Sequence, residues 1–308
     1  MKDTVFVPPL KIQGIKTKLV PIIKENIYIN DEMVWVEPFM GSGVVGFNIA
    51  PKNAIFADSN PCIVDFYNAV KNGEITSSVV RRFLEDEGKK LLEKDEAYYY
   101  EVRDRFNKDR KPLDFLFLNR SCFNGMIRFN KSNDFNVPYG HKPNRFAKAY
   151  ITKIVNQVSH IEKLIRKNNW IFLCQSFEKT INEAPQNAFI YCDPPYIGRH
   201  VDYYDSWDEN CEFLLKKVLV DSKKPFMLST WDFNDFRKNE YIDLIWSFCK
   251  KINAEHFYHV GAKETNRNPM MEALLINTPQ PIEKSTKNKP QNNASQLTFF
   301  DIIPISNQ

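Results

Sequence analysis

The chain has 308 residues, room for two domains or for one large domain carrying an insertion. Hydrophobic residues at 43% and charged residues at 26% exclude a wholly disordered chain, and no run approaches the ~18 consecutive apolar residues that a membrane span needs. The formal net charge of +4 is too small to name a nucleic-acid partner, so its distribution matters more than its sum.

Residues 1–9 contain no apolar signal region, which predicts a cytoplasmic protein. Six cysteines stand far apart, without a CxxC pair, which suits a reducing compartment; Cys174 and Cys192, in apolar runs, read as buried thiols. His256 and His259 lack a third histidine or a carboxylate cluster, so no metal site is expected. Short apolar runs bounded by turn residues predict buried strands. In chain order they are Met33–Glu37, Ala54–Ala57, Trp170–Cys174, Ala188–Cys192, Pro225–Thr230, His256–Val260 and Glu272–Ile276. Helical spacing at Ile63–Val70 and Glu212–Val220 places helices between them, and the alternation predicts a mostly parallel α/β sheet.

After the first strand, Val34-Trp-Val-Glu-Pro-Phe-Met-Gly-Ser-Gly-Val-Val-Gly46 reads as a glycine turn into a helix. Asp58 ends the next strand, 17 residues beyond Gly41. The glycines permit close approach of a ligand and the acid suits ribose hydroxyls. A dinucleotide and S-adenosylmethionine both meet that description, so the loop leaves a dehydrogenase and a methyltransferase open.

From about Ile75 to Asn169 the strand rhythm stops. Ser78–Asp109 reads as charged helix and Asn119–Tyr139 as loops and a hairpin, which predicts a domain inserted after the second strand. Glu101–Tyr150 holds eleven basic and five acidic residues, a net +6, which leaves −2 for the rest of the chain. From Pro279 on, four prolines and many polar residues predict a flexible tail.

The strand Ala188–Cys192 runs into Asp193-Pro-Pro-Tyr196. An acid at the C-terminal end of such a strand faces the crevice where α/β sheets hold ligands. The prolines keep the backbone extended, with carbonyls held in place. Asp193 and the Pro194 carbonyl can accept the two N–H bonds of an exocyclic amine while Tyr196 stacks on its ring. A hydride-transfer enzyme has no use for that set.

With these residues the chain resembles the Dam-like (D12 class) adenine-N6 site-specific DNA methyltransferases over roughly residues 6–277. Four segments carry the likeness: Leu10-Lys-Ile-Gln-Gly-Ile-Lys16; Glu37-Pro-Phe-Met-Gly-Ser-Gly43 with Asp58; Asn119–Asn130 with Phe135-Asn-Val-Pro-Tyr-Gly140; and Asp193-Pro-Pro-Tyr196. The resemblance implies a Rossmann-like S-adenosylmethionine methyltransferase sheet, mostly parallel with one antiparallel strand, and an inserted, mainly helical DNA-recognition domain. Residues 1–72 and 170–278 would form the catalytic domain, 73–169 the target-recognition domain and 279–308 the tail.

The implied cofactor-binding residues are Gly14, Lys16, Glu37, Pro38, Phe39, Gly41, Gly43, Asp58, Ser176, Phe177 and Asp193. Asp193, Pro194 and Tyr196 would hold a flipped adenine. Lys11, Arg120, Asn124, Arg128, Asn130, Asn136, Pro138 and Tyr139 would read double-stranded DNA. Three positions depart from the family pattern: Ile12 replaces a tryptophan, Ile15 a glycine, and Ser176 an acid. The activity implied is methyl transfer to adenine N6 within a restriction–modification system. Methylation of cytosine N4 or of an RNA adenine, and a non-catalytic DNA-binding homologue, are the alternatives. Gln296-Leu-Thr-Phe-Phe-Asp301 resembles the peptide with which bacterial proteins dock on the sliding clamp of replication.

Overall fold

A computed structural model describes residues 4–197, 207–234, 237–257 and 269–278; for residues 255–257 and 269–270 it describes the backbone alone. In chain order, helix α1 (Val20–Glu25) precedes strand β1 (Val34–Glu37). Helix α2 (Val44–Ile49), strand β2 (Asn53–Asp58) and helix α3 (Pro61–Lys71) follow. Four helices then occupy the interval without strands: α4 (Ser77–Lys94), α5 (Glu96–Asp109), α6 (Pro112–Ser121) and α7 (Lys148–Lys167). The chain returns through β3 (Asn169–Cys174), α8 (Phe177–Asn182), β4 (Ala188–Cys192), α9 (Glu209–Ser222) and β5 (Phe226–Asn234). It ends in β6 (Arg237–Lys238), α10 (Glu240–Ile245), β7 (Lys250–Phe257) and β8 (Pro269–Asn277).

The strands form one sheet in the order β3-β2-β1-β4-β5-β8-β7, with the two-residue β6 paired to β5. Every neighbour from β3 to β5 is parallel, and β8 runs antiparallel to both β5 and β7. The sheet is thus mostly parallel with one reversed long strand, as the resemblance implies. The chain leaves β1 toward β2 and β3 on one side, then crosses from β3 to β4 on the other side of β1. That divergence opens a crevice at the carboxyl ends of these strands, the usual ligand position in such sheets.

Side-chain alternation sorts the two faces. Trp35, Phe189, Tyr191 and Met227 face one core, whereas Val34, Val36, Ile190 and Leu228 face the other with α8, α9 and α10. The first core continues without a break into the insertion through Leu84, Phe106, Phe115, Phe117, Ile154 and Ile161. On α7, Ile151, Ile154, Val158, Ile161 and Ile165 recur at helical spacing and are buried. Each such side chain contributes about 1.5–3 kcal/mol of burial. The inserted span therefore shares a core with the sheet.

One strand differs from its sequence reading. The His256–Val260 run is the end of a strand that starts at Lys250, and residues 258–260 lie outside the described residues. This is an edge strand, on which Ala254 is buried while Lys251 and Asn253 carry polar groups toward Asp232. A search for continuous apolar runs misses a two-residue period of that kind. His259 and the clamp-like peptide Gln296–Asp301 also lie outside the described residues. Among the described residues, no group of three or more metal-ligating side chains occurs, and no helix is long and apolar enough to cross a membrane.

Candidate active site

The crevice is built first from the turn after β1. Gly41 (φ +47°) and Gly43 (φ +72°) both adopt the left-handed conformation that glycine tolerates. A Cβ on Gly43 would lie 2.5 Å from the Phe47 ring, and one on Gly46 would lie 2.2 Å from Phe56 and 2.6 Å from the Glu37 carboxylate. These two glycines serve packing. A Cβ on Gly41 would meet only Ile12, at 3.6 Å, so Gly41 is where the loop surface stays open.

Two acids brace the turn. Asp58 accepts the Gly41 N–H at 2.9 Å on Oδ2 and the Asn60 N–H at 2.9 Å on Oδ1. Glu37 accepts the Trp35 indole N–H at 2.9 Å and the Gly46 N–H at 3.0 Å, both on Oε2. Burial raises the Glu37 carboxyl to about 8, against the opposing effect of those two hydrogen bonds.

Beside the turn stands an aromatic wall. Pro38 is buried and Phe39 stacks on Phe177 with centroids 5.3 Å apart. Trp207 closes the group at 5.6 Å from Phe39 and 5.5 Å from Phe177. Its indole N–H donates to Glu212 at 2.8 Å. Ser176, in place of the family's acid, caps α8 by accepting the Lys179 N–H at 3.3 Å. Trp207 went unpredicted, because no local pattern ties a residue after a loop to the turn after β1.

The second half of the crevice follows β4. Lys16, only 4% exposed, reaches Asp193 Oδ1 at 3.0 Å and donates to the Gly14 carbonyl at 2.7 Å. The Ser229 hydroxyl on β5 donates to the same Asp193 Oδ1 at 2.8 Å. Pro194 is buried next to it. The Tyr196 hydroxyl donates to Glu272 Oε1 at 2.7 Å, and the Lys16 ammonium sits 4.7 Å from the centroid of the Tyr196 ring. Burial raises the Asp193 carboxyl above the usual carboxylate range, while Lys16 and Ser229 pull it down. Ser229 and Glu272 were not anticipated, since both lie in strands that read as plain apolar runs.

The residues expected to read DNA divide. The N-terminal segment lies on the insertion. Asn119 exchanges hydrogen bonds with the Lys11 backbone at 2.8 Å each way, Arg120 donates to the Pro9 carbonyl at 3.0 Å and Gln157 to the Val7 carbonyl at 2.8 Å. Lys11 thereby joins Arg120, Lys142 and Arg145 in one positive cluster. Burial first, then Arg120 and Arg145, lowers its ammonium to about 8. Asn124 is exposed with φ +53°, beside the exposed Phe123. Residues 122–139 fold back as a hairpin-like loop held by bridges Cys122–Tyr139 and Phe129–Phe135. Across it, Arg128 donates from Nε to the Asn136 side-chain oxygen at 2.9 Å. Asn130 accepts the N–H groups of Ser132 and Asp134 at 2.9 Å each, closing the tip, and Pro138 is exposed.

Two expectations are corrected. Arg120 is 6% exposed and Tyr139 is 1% exposed. α6 is buried from Asp114 to Ser121, so the Arg120 guanidinium points into protein and braces the N-terminal segment. Tyr139 packs against Tyr99 at 5.2 Å. Both frame the loop from within.

Comparison with known proteins agrees with this architecture. Residues 13–266 match the profile of the D12 class N6 adenine-specific DNA methyltransferases. A "DNA adenine methylase" of Haemophilus influenzae is 34% identical over 198 residues, covering 61% of this chain and 63% of that protein. The "Type II methyltransferase M.MjaIII" of Methanocaldococcus jannaschii is 35% identical over 61% of this chain and 68% of its own length. The "Type II methyltransferase M.FokI" of Planomicrobium okeanokoites is 31% identical over 87% of this chain and 42% of its own length. The aligned part thus spans less than two thirds of the first and the third of these relatives. With the glycine turn braced by Asp58, the acid after β4 and the family profile covering most of its length, the chain belongs to the D12 class of N6 adenine-specific DNA methyltransferases.

Proposed function

We propose that this chain transfers a methyl group from S-adenosylmethionine to N6 of an adenine rotated out of duplex DNA. The observation that carries this reading is the polarity of Asp193. Lys16 and Ser229 both engage Oδ1, and Oδ2 is the carboxylate oxygen assigned here to accept an amine N–H. The Pro194 carbonyl, in a backbone held extended by two prolines, supplies the second acceptor. An amine so held keeps its lone pair for bond formation.

The residues of the turn fit the cofactor. Gly41 presents a surface without a side chain, Asp58 and Glu37 supply acidic groups at the ends of β2 and β1, and Phe39, Phe177 and Trp207 offer an apolar wall for an adenine ring. S-adenosylmethionine held by these residues would supply an electrophilic methyl on a cationic sulfur, and the amine at Asp193 would take that methyl on its lone pair, leave the C–S pair with sulfur and release its proton to solvent. Asp193 orients the amine and faces the positive charge as it arrives at nitrogen. Catalysis is then positioning and electrostatics. Rotating the base out costs a few kcal/mol, offset inside the pocket.

Lys11, Asn124, Arg128, Asn130, Asn136 and Pro138 line the face offered to DNA, with Arg and Asn suited to guanine and adenine edges. The Type II names of two relatives support a role beside a restriction enzyme. The test is methylation of duplex DNA with labelled cofactor, followed by analysis of the modified base. N6-methyladenine is expected, made by wild type and lost in Asp193→Ala. N4-methylcytosine as the product, or no cofactor binding, would displace this reading.

A further inference from the structure

Glu212 lies in the first turn of α9 and is only 4% exposed. Its two carboxylate oxygens serve two different tryptophans. Oε2 accepts the Trp207 indole N–H and Oε1 accepts the Trp246 indole N–H, each at 2.8 Å. Trp246 directly follows α10, is buried, and packs on Phe226 of β5 with centroids 6.1 Å apart. Trp207 is only partly buried and stands edge-on to Phe39, at 79°. One side chain therefore ties a ring of the crevice to a ring of the core.

The start of the helix does not require this arrangement. Asp208 caps α9 by accepting the Cys211 N–H at 2.9 Å, so Trp207 stands just before the cap and Glu212 four residues after it. A pair at those two positions ordinarily meets by apolar contact, which fixes how the chain enters the helix. An apolar residue at 212 would serve that purpose without burying an acid. The indoles give the acid its use. An indole N–H is a donor only, and a carboxylate offers two acceptor oxygens in one fork. A glutamine would accept on one oxygen and meet the second indole with its own N–H groups.

Resting on the reading that S-adenosylmethionine lies against Phe39 and Phe177, we propose that Glu212 is a positioning residue for the cofactor. By holding the Trp207 N–H while anchored on Trp246, it fixes the Trp207 ring as the third side of the aromatic wall before the cofactor arrives. Without that anchor the ring must be ordered at each binding event, and that lost freedom weakens binding.

The test is the dissociation constant of S-adenosylmethionine, measured by equilibrium dialysis on Glu212→Met, Trp207→Phe and the double variant of the full chain. Methionine keeps the length and helix preference of glutamate and removes both acceptors, whereas phenylalanine keeps a ring and removes the N–H. Each single variant is expected to bind about three- to tenfold more weakly, with a larger loss in affinity than in methylation rate at saturating cofactor. The double variant is expected to match Trp207→Phe, because the carboxylate acts through that N–H. A folded Glu212→Met protein within about twofold of wild-type affinity overturns the proposal. Losses that multiply in full in the double variant also overturn it, since Glu212 then acts by a route other than Trp207. Should Glu212→Met not fold, a Trp207→Phe protein within about twofold of wild type overturns it, because the anchored N–H is then without effect on binding. Absence of S-adenosylmethionine binding by the wild-type chain overturns the cofactor reading and this proposal together. Wild-type binding with an unimpaired Glu212→Met protein overturns this proposal alone.

Discussion

The crevice after β4 and the loop over residues 122–139 use polar side chains in opposite ways. In the crevice, buried Lys16, Glu272 and Ser229 and partly exposed Asp193 come from four distant parts of the chain and bond mainly within the crevice. In the loop, Asn130 serves the backbone of its own turn and Arg128 serves Asn136, eight residues on. The crevice uses its polar groups to fix Asp193 and Tyr196, and the loop uses them to hold its own shape. Each charge in the crevice should therefore matter more to the reaction than any one side chain of the loop matters to binding.

Asp193→Ala is the hardest test of that contrast. It is expected to lower the methylation rate by about 100- to 1,000-fold or more, the scale of losing one preorganised electrostatic group, with the fold intact. A loss below tenfold would erase the distinction between the two regions. Next in size is Arg128→Ala. If Arg128 reaches a base edge, losing it should cost about 1–3 kcal/mol of discrimination in competition binding against altered duplexes. An equal loss for every sequence would assign Arg128 to loop shape or phosphate contact alone.

Glu37 sharpens the comparison by pH. Its carboxyl is raised to about 8 in the folded chain, from 4.5, so the folded state binds the extra proton between those values. Stability contributed by that proton is present at low pH and lost as pH rises through the folded value. Glu37→Gln should therefore flatten the fall in Tm between about pH 5 and pH 8. An unchanged slope would show that Glu37 is ionised throughout.

Lys11 carries the smallest effect. Its ammonium, lowered to about 8, should lose charge as pH rises past neutrality. DNA affinity should then weaken between about pH 7 and pH 9, by roughly the worth of one phosphate or base contact. Lys11→Met should remove that dependence, and a dependence that persists in the variant would place it on another group.

Much of this was legible in the chain. The glycine turn, the acid after β2 and the Asp193–Tyr196 segment are local patterns, and each falls at the end of the strand that its sequence announces. The first residues of the edge strand, from Lys250, were not read as strand because their two-residue period is mostly polar on one side. Arg120 and Tyr139 were placed at the DNA face because motif position says which residue is present, whereas burial depends on what packs against it. For Arg120 that partner is Pro9, 111 positions away.

The sequence by itself determined the class of sheet, the two ligand-facing turns and the position of the basic insertion, because turns, strand periods and charge are properties of neighbouring residues. Only the tertiary structure decided that Ser229 and Lys16 meet at Asp193, that Glu272 holds Tyr196, and that Trp207 joins Phe39 and Phe177. It also decided that the insertion shares a core with the sheet. These depend on strand order and on close packing across large sequence separations, which bring a buried charge and its partner together only once the sheet has formed.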